Sequence, residues 1–101
     1  MTVPLACDMG AIPAAERGEH DRVTRHLIAA ATMVRESPDG FTFQLSADQY
    51  ETACQFIARE RLCCPFLRFT LDVPPERGAI RLRLSGPNGA KELIRTELGL
   101  R

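Results

Sequence analysis

Long hydrophobic runs are missing from this 101-residue chain. The longest mainly apolar stretch, Leu27 to Val34, falls far short of the ~20 residues that cross a bilayer, so no membrane partner is expected. An excess of charge is missing too. Thirteen Lys and Arg balance thirteen Asp and Glu, and with no basic surplus no nucleic-acid partner is expected either. The familiar catalytic motifs are equally scarce: there is no Gly-rich phosphate loop, no serine elbow and no His-Glu-x-x-His run. Without a Cys-x-x-Cys spacing, neither a thioredoxin-like motif nor a zinc ribbon is indicated. The two histidines, His20 and His26, lie six apart and so do not share a helix face, although His20 could lend one nitrogen. No repeat at a solenoid period and no low-complexity stretch stands out.

What remains is a chain sized for one domain, 1–101, with ordinary apolar and charged content. Residues 1–12 read as an irregular leader carrying Cys7. Val3-Pro4-Leu5-Ala6-Cys7 has the look of a lipoprotein cleavage site, but only six residues precede the cysteine, with no basic segment and no apolar core. A cytoplasmic location follows as the expectation. There, four cysteines are expected to be free, metal-bound or redox-active rather than a disulfide framework.

The pattern along the chain predicts helix, hairpin, helix, hairpin, helix. A first helix starts at Pro13 and runs to about Ala31, with Val23, Leu27, Ile28 and Ala31 as its apolar stripe and Gly18 weakening its start. Thr32 to Glu36 and Phe41 to Leu45 flank a Pro38-Asp39-Gly40 turn. Ser46 and Gln49 form a capping box for a second helix, which ends at Cys63 or Cys64 because Pro65 disfavours helical geometry before it. Alternation over Leu67 to Val73 and Ala79 to Leu84 gives a second hairpin, and Ala90 to Leu98 a closing helix. The expected class is α+β, with a four-stranded, mainly antiparallel sheet and helices on one face.

The chemistry concentrates at the end of the second helix. Glu60 precedes Cys63 and Cys64 by three and four residues, so a carboxylate and two sulfurs converge where the helix stops. Counting about 100° per residue places Ile57, Ala53, Cys64, Tyr50 and Cys54 on the buried face, Glu60 at its edge and Cys63 on the flank. Cys54 reads as core. The missing donors are best sought in the leader, at Cys7 and Asp8. Three thiolates suit a soft or borderline ion such as Zn(II), Hg(II), Cd(II) or As(III). Glu60 completes such a site or acts as the base for a thiol. The competing readings are core packing for the cysteine pair, an incidental surface thiol for Cys7, and an ion-paired helix residue for Glu60 beside Arg59 and Arg61. A bond between the adjacent Cys63 and Cys64 would close a small strained ring and is not expected at rest.

With Glu60-Arg61-Leu62-Cys63-Cys64-Pro65-Phe66-Leu67-Arg68-Phe69 and, upstream, Cys7-Asp8-Met9, the chain resembles a family of small bacterial proteins carrying an N-terminal cysteine and a Glu-x-x-Cys-Cys-x-Phe-x-x-Phe signature. Similar segments look like C-terminal extensions of MerR-type regulators, and such genes often sit near heavy-metal resistance functions. The resemblance implies that Cys7, Glu60, Cys63 and Cys64 belong together, and that Cys54 does not join them.

Three functions are open to such a site. The first is binding of a soft or borderline metal or metalloid ion for sequestration or transfer, with Cys7, Cys63, Cys64 and Glu60 as ligands. The second is a cysteine-dependent enzyme, cleaving a carbon-metal bond or transferring a thiol, with Cys63, Cys64, Glu60 and Asp8 as its catalytic groups. The third is a structural zinc module. An unpaired edge strand also permits a homodimer.

Overall fold

The computed structural model describes residues 5–100; the first four leader residues and the last residue lie outside them. Three helices, α1 (Arg17–Ala30), α2 (Tyr50–Cys63) and α3 (Ala90–Glu97), accompany four strands, β1 (Met33–Ser37), β2 (Gly40–Leu45), β3 (Arg68–Asp72) and β4 (Ile80–Ser85). The strands form one antiparallel sheet in the order β1-β2-β4-β3. The class is α+β.

The sheet register explains the core. Phe41, Phe43 and Leu45 of β2 stand opposite Leu84, Leu82 and Ile80 of β4. Period-two alternation therefore puts all six on one face of the sheet. They are buried together with Val23 and Leu27 of α1, Ala53 and Phe56 of α2, and Ile94 with Leu98 at the end of α3. Gly40 opens β2 directly against β4, where a Cβ would overlap the backbone carbonyl of Leu84, so no other residue fits that crossing unshifted. An ion-pair cluster holds α3 to the sheet edge: Glu36 of β1 accepts from Arg95 at 2.8 Å and pairs with Lys91, while the Arg95 guanidinium lies 5.3 Å from the centre of the Phe41 ring.

Several local expectations are corrected. The first helix begins with a 3-10 turn, Ala14–Glu16, and becomes α-helical only at Arg17. No capping box forms at α2. The Ser46 hydroxyl donates to Asp48, Gln49 bonds His26 at 3.0 Å, and a 3-10 turn over Ala47–Gln49 leads in instead. The described leader is not wholly irregular, because Met9–Ala11 forms a 3-10 turn capped by the Asp8 carboxylate, which accepts from the Gly10 N–H at 2.9 Å. The buried stripe of α2 is Ala53, Phe56, Glu60 and Cys63, whereas Tyr50 is 46% exposed. Its spacing of three, four and three makes one stripe along the helix; α2 packs on α1, and its Ala53 and Phe56 join the core cluster shared with the sheet. Phe56 and Glu60 share the middle of that stripe, although hydrophobic counting pushes Glu60 to the edge.

Candidate metal centre

Four chain segments meet at the C-terminal end of α2. Pro65 stops the helix, and Cys64 closes it as C-cap with its N–H bonded to the Glu60 carbonyl at 2.9 Å. This fixes Glu60, Cys63 and Cys64 around a single turn, and all three are almost fully buried. The leader crosses that turn. The Asp8 N–H donates to the Cys63 carbonyl at 2.8 Å, and Ile12, fully buried, packs against Cys63 and Cys64. Arg17 braces the leader by donating through Nε to the Met9 and Ile12 carbonyls, each at 3.0 Å. His20 enters from α1, and Glu97 from the last turn of α3.

Cys7 reaches the helix end, as the sequence requires of it, and is disulfide-bonded to Cys64. This corrects the expectation that these two sulfurs are free or metal-bound. Their Cα atoms, 4.7 Å apart, lie within the range a disulfide spans. Cys63 stays a free thiol 3.6 Å from the Cys64 sulfur, and it donates to Glu60 Oε1 at 3.1 Å. Glu60 Oε1 also lies 2.9 Å from His20 Nε2. A carboxylate oxygen accepts only, so the ring proton in that bond is carried by Nε2. His20 Nδ1, in a residue only 3% exposed, has no partner among the described residues.

Glu97 is the residue sequence reasoning missed. Its Oε2 lies 2.6 Å from the Cys7 sulfur and 3.3 Å from that of Cys64. Glu60, Cys63, Cys64 and Glu97 bring their ligand atoms within 4.8 Å of one another. No spacing rule links position 97 to position 60; the only signal was an acidic residue between Ile94 and Leu98, which face the core. Asp8 does not join the cluster. Its carboxylate is spent on the Gly10 cap, and the residue contributes through its backbone. Cys54, half-buried on another side of α2, also stays apart, and His20 meets the cluster through Glu60, to which its Nε2 is bonded, rather than as one of the four clustered groups.

The electrostatics of the cluster are lopsided. Burial, and then Glu60, push the Cys63 thiol far above its ordinary range. Although Glu97 as a residue is exposed, its carboxyl is tucked beside the sulfurs. Burial and the nearby Glu60 carboxylate raise it to about 7. His20 acts in the opposite direction on Glu97, but as the least of the causes. A carboxyl whose folded value exceeds its ordinary 4.5 contributes stability that is complete below about 4.5 and lost as pH rises through about 7. Urea unfolding of the protein should therefore show stability rising by about 1 kcal/mol, after solvent screening, on going from pH 8 to 5. Glu97→Gln should flatten that slope; an unchanged slope assigns the titration elsewhere.

Beside the cluster opens a cavity of about 520 Å³, whose walls include Leu5, Cys7, Met9, His20, Glu60 and Glu97. Comparison with protein-family models, with curated proteins and with solved structures finds no match.

Proposed function

We propose that the protein, with its disulfide reduced, binds a soft or borderline metal ion through Cys7, Cys63 and Cys64, with Glu60 or Glu97 as the oxygen donor, for sequestration or transfer of that ion. The observation that carries this reading is the crowding of two carboxylates and two sulfurs within 4.8 Å, three of the four residues buried. Like-charged groups raise one another's cost of ionisation, and burying them together without a cation is expensive. A bound cation reverses this, because the same carboxylates then become counter-charges and the thiols ionise on coordination. Mixed sulfur and carboxylate donors suit Zn(II) or Cd(II), whereas Hg(II) or As(III) would draw on the sulfurs alone. The raised Cys63 thiol weighs against Cys63 itself as the nucleophile of the cysteine-enzyme reading.

Titrating Zn(II) and Cd(II) into the reduced protein, followed by native mass spectrometry and thiolate absorbance, should show one ion per chain. Cys63→Ser should weaken binding at least about tenfold, since altering even an outer partner of a ligand costs that much. Affinity unaltered by Cys63→Ser would remove the assignment. A purely structural zinc role, by contrast, predicts that chelation lowers Tm while no ion passes to a competing acceptor.

A further inference from the structure

We propose that the Cys7–Cys64 disulfide is a redox gate on this metal site, opened by a dithiol reductant that enters through the cavity beside it; this rests on the metal-binding reading above. The bond joins two of the three sulfurs at the end of α2 and leaves only Cys63 as a thiol there. A sulfur in a disulfide has no thiolate to offer an ion. Oxidised, the cluster has one thiol donor; reduced, it has three.

Two features make the gate one-sided. Cys64 is fully buried, whereas Cys7 is half-buried and lines the cavity of about 520 Å³. An incoming thiolate therefore meets the Cys7 sulfur. It forms a mixed disulfide there, and Cys64 departs as a thiolate and takes up a proton. The second thiol of the reductant then attacks its own sulfur in the mixed disulfide. Cys7 leaves as a thiol, and the reductant departs as its cyclic disulfide, two electrons having passed to the protein. A monothiol stops at the mixed disulfide, from which Cys64, held alongside, re-forms the original bond.

The second feature is that the leader does not depend on the disulfide for its place. The Asp8 N–H bond to the Cys63 carbonyl, the buried Ile12 and the Arg17 brace all lie outside the cross-link. Reduction therefore frees the Cys7 sulfur without releasing the segment that carries it. Three sulfurs and two carboxylates remain together, so little ordering has to accompany ion binding.

The test compares Cd(II) affinity of the full chain in two states, its disulfide verified intact by peptide mapping or opened with dithiothreitol that is then removed under nitrogen. The reduced form should bind at least about a hundredfold more tightly, because two sulfur donors are regained and losses at outer partners alone reach that size. Affinities equal within twofold, with both forms binding, overturn the gate and leave the metal reading standing. If neither form binds, the metal reading falls first. Cys7→Ala should bind more weakly than the reduced protein but equally with and without oxidant; a redox dependence that persists in this variant also overturns the assignment. Opening by dithiothreitol but not by an equal thiol concentration of glutathione is expected, and equally complete opening by glutathione counts against the dithiol requirement.

Discussion

Glu60→Ala is expected to destabilise the disulfide-bonded protein by about 3 kcal/mol, read from the urea midpoint at constant m. The carboxylate is buried, and its Oε1 serves two buried partners, His20 Nε2 at 2.9 Å and the Cys63 thiol at 3.1 Å. Its removal leaves the His20 N–H unsatisfied in a residue whose other nitrogen has no partner among the described residues, and one orphaned buried donor costs about 1–3 kcal/mol. The space vacated adds a cavity term. Against this stands relief of repulsion with Glu97, whose carboxyl Glu60 helps to raise to about 7. That gain is the smaller because Glu97 is open to water on one side. Glu60→Gln separates the effects: it keeps the shape and an acceptor oxygen for His20, so its loss should be about 1 kcal/mol. If Glu60→Ala is as stable as the parent, the Glu60–His20 pair is not what joins α1 to α2 here.

How the site could be read from sequence follows from where its parts lie. Glu60, Cys63 and Cys64 share one helical turn, so local geometry brings them together whatever the rest of the chain does. Cys7 was legible by a different route, as a cysteine with no packing reason in a leader, and it does arrive at that turn. That it arrives bonded to Cys64 was not legible, because a disulfide needs two positions in space and spacing fixes only one. Glu97 was hidden for the same reason, being placed by the packing of Ile94 and Leu98 and by the Glu36 ion pairs rather than by any local motif. The strands were plain because Phe41, Phe43 and Leu45 alternate with polar residues. The buried face of α2 was misplaced because one of its four central residues is a glutamate. Hydrophobic periodicity rests on burial following polarity, and a functional site is where that coupling breaks.

Phe56 is where the hydrophobic core touches the candidate metal centre, and Phe56→Ala is expected to cost about 3–5 kcal/mol. The side chain is 2% exposed. One face stacks on the His20 ring, 5.8 Å between centres at 18°, and its edge meets Phe69 of β3 at 6.2 Å and 77°. These two contacts, each worth about 0.5–1.5 kcal/mol beyond burial, differ in what they do. Phe69 ties α2 to the sheet, whereas His20 is kept flat against Phe56 with Nε2 aimed at Glu60. Phe56→Leu refills much of the volume and should cost about 1–2 kcal/mol, yet it removes the flat surface that orients the imidazole. The two variants therefore part company at the site. Both should lower the urea midpoint, in the order Ala below Leu. Both should also broaden or shift the His20 ring resonances by comparable amounts, because both lose the stack. A His20 signal undisturbed in Phe56→Leu would mean that Glu60 alone holds the ring, and would reduce Phe56 to a core residue that happens to lie near the candidate metal centre.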